Sequence, residues 1–290
     1  MKISELKLNH PCFAAGKTGN TENGRIHLPV SPGCNIECRY CERSVNNFEE
    51  APGVSGGVIS PQEAVEALSR ALELCPEITV AGIAGPGDTL ATPYAIETFR
   101  LIKQKFPKLI TCMSTNGLML PERIEEVAAN VDSLTVTLNT LNAATGAKIY
   151  NAVYYGGKRY TGIDAAEVLL ENQLTGIEKA AAAGVTVKIN TVLIPEINGD
   201  EIAGIAEKAS SLGAGIFNII PLLPRAHFRN FAAPGCDQIS SAREQAEEYI
   251  KVFRHCGHCR ADAVGKLGGK DFRDAVFLNL PEVENTFSHG

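Results

Sequence analysis

Three cysteines lie close together near the start of the chain, and their spacing is the sequence feature with the clearest chemical meaning. Cys34, Cys38 and Cys41 form a C-x3-C-x2-C pattern directly after the apolar run 26–30. Iron–sulfur clusters are normally held by four cysteine thiolates. Three thiolates on one short loop can bind three irons of a [4Fe–4S] cluster, which leaves the fourth iron for a small molecule.

S-Adenosylmethionine (SAM) binds such an open iron through its amino and carboxylate groups, and its reductive cleavage gives a 5′-deoxyadenosyl radical. The triplet, with Tyr40 just before its last cysteine, resembles that of the radical SAM superfamily. The alternatives are a zinc site and a redox thiol pair. Zinc sites usually pair two C-x2-C units or add histidines at set spacing. Here the first gap is three residues and no second pair is near, so we predict a SAM-binding cluster on the triplet.

A glycine-rich turn after the second predicted strand could hold SAM. The segment Gly82-Ile83-Ala84-Gly85-Pro86-Gly87-Asp88 would let the backbone approach a ligand closely. Gly85, Gly87 and Asp88 are therefore candidates for contact with the SAM amino group. The alternative is an ordinary tight turn, because such turns also favour glycine and proline.

Polar side chains at later strand ends are further candidates for SAM contacts. Ser114-Thr115-Asn116-Gly117 ends the third predicted strand, and hydroxyl and amide groups suit the ribose and carboxylate of SAM. The run could also be a simple Asn-Gly turn. The candidates at strand ends are Ser114 and Asn116, with Asn139 and Asn190 as weaker ones.

The chain has nine cysteines, so six remain outside the triplet. In a reducing compartment such cysteines are more often metal ligands or catalytic groups than disulfides. A His-Pro-Cys run, a cysteine at the third strand and a C-x2-C pair near the end could converge on one opening. They would supply ligands for one or two further Fe–S clusters: His10, Cys12, Cys112, Cys256 and Cys259.

The other cysteines and histidines give weaker signals. We expect Cys75 to be a core residue and Cys236 to have no role. His27 could line the barrel or belong to its core. His255 and His258 flank the terminal pair, and we expect them to be exposed and not to bind metal.

Apolar, strand-like runs alternate with helical segments, the pattern of a parallel α/β fold. The predicted strands are 26–30, 78–83, 109–113, 133–138, 185–194 and 216–222. The predicted helices are 93–105, 121–129, 164–183, 200–212 and 240–254, with one more after the N-cap Ser60. Six such units predict a partial TIM-type (β/α)6 barrel with its active site at the C-terminal strand ends.

We expect the chain to form one domain. The barrel core would cover about 24–254, and extensions at 1–23 and 255–290 would carry cluster ligands. We expect the segment after residue 254 to be an appended loop region.

Composition excludes several classes of function. The 290 residues carry a net charge of −6 and no long basic run, which argues against nucleic acid as a partner. No apolar stretch is long enough to span a bilayer. Residues 1–10 lack the apolar centre of a signal peptide. We therefore expect a cytoplasmic protein with no membrane partner.

These motifs together resemble the NifB family of radical SAM enzymes, over about residues 10–268. The shared runs include His10-Pro11-Cys12, the triplet, both polar turns, and Cys256-Gly257-His258-Cys259-Arg260-Ala261-Asp262-Ala263-Val264-Gly265. The resemblance is to the short, stand-alone form of the family, without the NifX-like extension that some members carry.

The resemblance implies a lyase-type carbide synthase of nitrogenase cofactor biosynthesis. Such an enzyme fuses two [4Fe–4S] clusters and inserts a SAM-derived carbide to form an eight-iron precursor. The triplet would hold the SAM cluster, and His10, Cys12, Cys112, Cys256 and Cys259 would be ligands of the substrate clusters. The implied partners are Fe–S cluster donors, cofactor scaffold or carrier proteins and a reductant protein.

The chain departs from the family pattern at two places. A cysteine expected shortly after the triplet is absent from the segment 43–48. A motif that usually reads Glu-x-Arg-Pro-Gly-Val has Ala51 in place of arginine. An arginine would offer bidentate charged contacts that alanine cannot make. The chain could therefore be a divergent true member of the family, with an exogenous thiol or another residue filling the site, or a related radical SAM enzyme with one auxiliary cluster and another substrate. A third alternative, from another class, is a non-catalytic Fe–S carrier.

Overall fold

The computed structural model describes residues 9–13, 22–42 and 45–278. Ten strands are present in this part of the chain: β1 (Gly24–His27), β2 (Ile36–Cys38), β3 (Ile78–Ile83), β4 (Ile110–Thr115), β5 (Ser133–Thr137), β6 (Tyr150–Tyr155), β7 (Lys158–Tyr160), β8 (Thr186–Leu193), β9 (Ile216–Pro221) and β10 (Val264–Lys266). Seven of them form one curved sheet in the order β10-β1-β3-β4-β5-β8-β9. Six run parallel, and β10 pairs antiparallel with β1 at one edge.

Helices connect the parallel strands. They are α1 (Pro61–Leu74), α2 (Tyr94–Lys105), α3 (Ile124–Asn130), α4 (Ala143–Ile149), α5 (Gly162–Ala182), α6 (Pro195–Asn198), α7 (Ile202–Ser211), α8 (Cys236–Glu247) and α9 (Arg273–Val276). The first helix begins as predicted, because Ser60 and Glu63 form a reciprocal capping box. The (β/α)6 partial barrel is confirmed. None of the helices in the described residues is long and apolar enough to cross a membrane.

The prediction for the last long helix was wrong at both ends. It begins at Cys236 and ends at Glu247, and the chain then runs extended beside β9. Phe217 N donates to Lys251 O at 2.9 Å, and Phe253 N donates to Phe217 O at 2.8 Å. Val252 and Phe253 are buried. Their burial and this pairing favour an extended chain that covers the free edge of β9.

The segment after residue 254 is also more ordered than a loop. Its described part contains β10, which pairs with β1 from Gly24↔Lys266 to Ile26↔Val264, and the short α9. His27 N donates to Ala263 O at 2.8 Å, which extends this connection. The C-terminal segment therefore closes the other edge of the sheet.

A second sheet, in the order β2-β6-β7, was not predicted. Its strand β2 lies inside the cysteine triplet and pairs antiparallel with β6. The Glu37 carboxylate accepts hydrogen bonds from Asn151 Nδ2 at 2.5 Å and from the Tyr154 hydroxyl at 2.6 Å. Ile36 and Val153 pack in an apolar cluster under this sheet with Cys34. The triplet loop is therefore anchored to a sheet by backbone pairing, side-chain hydrogen bonds and packing.

We expect Tyr154→Phe to loosen this anchor. A hydrogen bond to a charged group contributes about 1.5–3 kcal/mol, and Tyr154 is half-buried, so the free energy of unfolding should fall by about 1–2 kcal/mol. Urea unfolding of the anaerobic apoprotein measures it. Tyr249→Phe is the control, since Tyr249 is 41% exposed and outside this sheet. Equal unfolding midpoints for the two variants would contradict the anchoring role.

Candidate active site

Two adjoining cavities occupy the barrel and its C-terminal strand ends. The smaller has a volume of about 170 Å³, and Cys34, Cys38 and Cys41 all line it. The larger has a volume of about 320 Å³ and fills the lumen of the barrel. The residues that line both cavities are Tyr40, Cys41, Ala84, Ser114 and Thr137.

The three triplet cysteines lie on one wall of the smaller cavity. Cys34 is buried, whereas Cys38 and Cys41 are half-buried. Within the described residues, no three His, Cys, Asp or Glu side chains converge on a single metal-ion position. The cysteines of a cubane cluster bind different irons, so their sulfurs need not meet at one point. The donor set therefore fits a [4Fe–4S] cluster held by three cysteines.

The glycine-rich turn supports the triplet loop by backbone contact. Gly87 N donates to Ser31 O at 2.7 Å, and Asp88 N donates to Gly33 O at 2.8 Å. A Cβ atom at Gly87 would overlap the Gly33 carbonyl. Gly85 has a φ of +130° and lines neither cavity. The need for glycine here comes from loop packing, whereas Gly87 and Asp88 also line the smaller cavity.

The Asp88 carboxylate is engaged by protein donors. It accepts hydrogen bonds from Thr115 Oγ1 at 2.9 Å, from Asn116 N at 2.6 Å and from Leu90 N at 2.9 Å. Asp88 is 5% exposed. This carboxylate ties the turn after β3 to the end of β4, so its geometry is that of a positioning group and not of a free SAM ligand.

Ser114 and Asn116 lie on the wall of the smaller cavity, as expected for strand-end candidates. Asn116 Nδ2 donates to Asn35 Oδ1 at 2.7 Å and lies 3.7 Å from Cys34 Sγ. The amide thus links the end of β4 to the triplet loop. Ser114 borders both cavities.

The two weaker asparagine candidates lie away from the smaller cavity. Asn139 is fully buried and lines neither cavity; its Nδ2 donates to the Tyr40 hydroxyl at 3.0 Å, and its Oδ1 accepts from Val192 N at 2.9 Å. Its place near a strand end was right, but its amide is used to hold Tyr40. Asn190 lines the lumen, where its Oδ1 accepts from Asn218 Nδ2 at 3.1 Å.

Many polar side chains line the lumen beside apolar ones such as Val80, Val192 and Phe253. The interior of a TIM-type barrel is usually packed with branched apolar residues. Alternate residues of the parallel strands point inward, as the period of two requires. The polar residues on this face are Arg25, His27, Cys112, Ser114, Thr135, Thr137, Lys188, Asn190 and Asn218. The lumen of this barrel is therefore a chamber lined by many polar groups, where most such barrels have an apolar core.

All five candidate ligands for further clusters line this chamber: His10, Cys12, Cys112, Cys256 and Cys259. His10 is 1% exposed, and its Nδ1 accepts from Cys12 N at 3.1 Å. The opposite ring nitrogen, Nε2, is buried without a hydrogen-bond partner among the described residues, as is Asn218 Oδ1. Buried polar atoms are normally satisfied. These two unsatisfied atoms, together with four thiols, fit a chamber that takes a metal-containing ligand.

Burial favours the neutral forms of four chamber residues: His10, Cys12, His27 and Cys112. It raises the pKa of Cys12 to about 12, while the nearby Lys188 charge acts in the opposite direction. Burial also raises the pKa of Cys112 and lowers those of His10 and His27, the latter to about 4. Arg25 Nη2 donates to Cys259 Sγ at 3.1 Å. Metal binding to Cys12 and Cys112 must therefore release protons, as expected for thiolate ligands.

A buried ion pair fixes the C-terminal C-x2-C segment over the chamber. Arg260 makes a bidentate pair with Asp262 at 2.8 and 2.9 Å, and Asp262 also accepts from Gly56 N at 2.6 Å. Arg260 donates to two backbone carbonyls of the segment 46–49. His27 Nδ1 donates to Arg260 O at 2.8 Å. The ion pair thus joins this segment to the loop that contains Ala51.

Several residues of the chamber were not predicted from the sequence. Lys188 and Asn218 were missed, although each is a polar residue at an inward position of an apolar strand run. His27 was left open and lines the chamber. His258 was expected to be exposed, but it is half-buried and also lines the chamber. His255 is exposed, and Cys75 is buried as expected.

Three further positions were noted in the sequence: Cys236, Ala51 and the segment after the triplet. Cys236 is exposed and lies outside both cavities. Ala51 is buried on the chamber wall. Residues 43–44 of the departure near the triplet lie outside the described residues.

Comparison with known proteins defines the family. The profile of the Radical SAM superfamily matches residues 28–209. The FeMo cofactor biosynthesis protein NifB of Methanocaldococcus infernus is 44% identical over 287 residues, which cover 98% of this chain and 94% of that protein. The chain belongs to the NifB family of radical SAM proteins. NifB of Methanocaldococcus jannaschii is 41% identical over 297 residues, with 99% of this chain and 98% of that protein covered.

The NifB family also contains longer members, and the fold occurs more widely. NifB of Klebsiella pneumoniae is 40% identical, and the match covers 98% of this chain but 62% of that protein. SuiB of Streptococcus suis bound to S-adenosylmethionine has a TM-score of 0.58 at 12% identity, over 80% of this chain and 50% of that one. The hydrogenase maturase HydG gives 0.53 at 13% identity, over 79% and 51%. These likenesses confirm the barrel fold.

We expect Gly87→Ala to disrupt the triplet site of this NifB family member. The added methyl group would overlap the Gly33 carbonyl, and backbone cannot yield as a flexible side chain does. Such overpacking typically costs about 1–3 kcal/mol, and the variant should lose cluster from the triplet on desalting. Unfolding and iron counting test this. Gly204→Ala is the control, because a Cβ there meets nothing within 4 Å. It should raise stability by about 0.5–1 kcal/mol in helix α7.

Proposed function

We propose that this protein is a radical SAM enzyme of nitrogenase cofactor biosynthesis that fuses two [4Fe–4S] clusters and inserts a SAM-derived carbide to give an eight-iron precursor. The observation that carries the proposal is the shared wall between the triplet cavity and the thiol-lined lumen. A site for SAM and a site for sulfur-rich substrate therefore adjoin. The membership in the NifB family supports the same conclusion.

The smaller cavity is suited to hold SAM beside a cluster. Cys34, Cys38 and Cys41 would bind three irons, and the polar groups of Ser114 and Asn116 face the remaining space. The bound cluster and SAM would supply a 5′-deoxyadenosyl radical by reductive cleavage. Ile36, Ala84 and Pro86 give this cavity apolar walls, which would keep water away from a reactive intermediate.

The lumen is suited to hold the substrate clusters. Cys12 and His10 reach it from the N-terminal segment, Cys112 from β4, and Cys256 with Cys259 from the C-terminal segment. Ligands from three separate segments can hold more than one cluster, or one cluster that changes its ligands during fusion. Such chemistry needs proteins that donate Fe–S clusters, a reductant protein, and a scaffold or carrier that accepts the product.

One observation favours a second candidate function. Ala51 lies on the lumen wall where the family resemblance predicts an arginine. A lumen without that charge could serve a related radical SAM reaction with one auxiliary cluster and a different substrate. Formation of a product that activates an apo-nitrogenase system would distinguish the first function from the second. A non-catalytic carrier is less well supported, since it would not need the smaller cavity.

Replacing Cys34, Cys38 and Cys41 together by Ala should abolish formation of 5′-deoxyadenosine, because the triplet provides the thiolates for the SAM-binding cluster. The assay is chromatography of anaerobic, dithionite-reduced reactions. Cys236→Ala is the matched control and should retain full cleavage, since Cys236 lies outside both cavities. Undiminished cleavage in the triple variant would rule out the assignment.

The reconstituted protein should bind clearly more iron than the four atoms of one cubane. In Cys256→Ala/Cys259→Ala the excess iron should fall by a large fraction, since two lumen thiols are lost. Iron and acid-labile sulfide counting on anaerobically desalted protein measures this, again with Cys236→Ala as control. A wild-type count that stays near four and does not change in the double variant would contradict a lumen that binds clusters.

A further inference from the structure

A buried lysine lines the chamber, at a position where burial makes a charge costly. Lys188 is the third residue of β8 and is 7% exposed. Its strand register aligns it with Thr135, and through Thr135 with Ser114 of β4. Its side chain lines the lumen. Lys188 therefore presents a positive charge inside the larger cavity.

Two aromatic rings hold the ammonium in place. Lys188 Nζ lies 5.5 Å from the centroid of the Phe13 ring and 5.6 Å from that of the Phe253 ring. Phe13 belongs to the segment that carries His10 and Cys12, and Phe253 directly precedes the segment of Cys256 and Cys259. Cation–π contacts of this kind attract a lysine ammonium to the ring faces. They hold the charge beside the two segments that carry four of the five candidate ligands.

The contacts within the protein leave this charge without a counter-ion. A buried ammonium is unfavourable unless an anion pairs with it. Within residues 9–13, 22–42 and 45–278, Lys188 forms no ion pair with a carboxylate. A second cation, Arg25, donates to Cys259 Sγ in the same chamber. The chamber is therefore built to receive negative charge.

The anion that fits these surroundings is rich in sulfur. The Lys188 charge acts on His10, Cys12 and Cys112, which are three of the candidate cluster ligands. An iron–sulfur cluster with thiolate ligands carries net negative charge, and its sulfides accept hydrogen bonds from ammonium groups. We propose that Lys188 is a positioning residue that holds the iron–sulfur substrate in the lumen by pairing with its negative charge. The inference rests on the proposed function, since it requires clusters in the lumen.

The test compares Lys188→Met, Lys188→Arg and the wild-type full-length protein, each reconstituted anaerobically with ferrous iron and sulfide. In Lys188→Met, the affinity for lumen iron, measured by competition with a chelator, should be about 10-fold lower than in the wild type. A loss of this size is typical when a group near a metal site is removed. The EPR spectrum of this variant should lose the signals of the lumen clusters. Lys188→Arg keeps the charge and should recover most of both. Lys179→Met is the matched control, because Lys179 is exposed on α5 and lines neither cavity.

The melting temperature of the apoprotein separates positioning from a structural role. Lys188→Met removes a buried unpaired charge, so the apoprotein should melt at the same or a higher temperature while it binds less iron. A lower melting temperature together with iron loss that Lys188→Arg does not recover would overturn the proposal. So would equal iron retention and EPR spectra in Lys188→Met and wild type. If the wild-type protein itself binds only one cubane, the proposed function is wrong. That result is distinct from a failure of the Lys188 proposal, because it is seen before any residue is replaced.

Discussion

Many inward-facing side chains of the central sheet are polar, so the main apolar core of the barrel cannot lie inside it. Thr135, Thr137 and Asn190 point into a chamber, whereas their neighbours Leu134, Val136 and Ile189 point outward into the main apolar core. The period of two along each strand separates the two faces. Burial of apolar surface, the dominant favourable term in folding, is therefore concentrated between the sheet and its outer helices. The rest of the architecture follows from this division.

Segments outside the six strand–helix units close this barrel. Residues 9–13 contribute Phe13, and residues 251–253 contribute Phe253; both rings are buried in a small cluster with Val80 and Ile216. The C-terminal segment then adds β10 beside β1 and the Arg260–Asp262 pair above the chamber. The segments that close the chamber also carry four of its candidate ligands. Metal binding and closure are therefore coupled, since a ligand that joins these segments also stabilises the closed state.

The sequence predicted those parts of the fold that depend on short-range patterns. The run 78–83 was predicted with its observed bounds, because it is apolar throughout, and α1 followed from its capping box. The second sheet was missed because β2 has only three residues inside a loop that already had a chemical interpretation. The end of α8 was misplaced because Val252 and Phe253 could continue a helix locally, and only their pairing with β9 makes them extended.

The sequence predicted which segments form the candidate site, but it did not predict most of the individual contacts within it. The convergence of His10, Cys12, Cys112, Cys256 and Cys259 on one opening was expected, and these residues do line one chamber. The functions of Gly87, Asp88 and Asn139 could not be read from residue type, because each depends on a partner distant in sequence: Gly33, Asn116 and Tyr40. Lys188 was missed because a single lysine within a strand run gives no indication of which face it occupies.

The two cavities differ in how they are built, and this difference bears on how the site works. The smaller cavity is made by loops of the barrel itself, fixed by β2, the Gly87 contact and the Asp88 hydrogen bonds. The larger takes most of its candidate ligands from segments outside the six-stranded core. A rigid site can form a reactive species reproducibly, whereas ligands on separate segments can rearrange as a cluster substrate changes. Cys41 and Ser114 line both cavities. The smaller cavity, which is held by several contacts, therefore directly adjoins the larger cavity, whose ligands lie on separate segments.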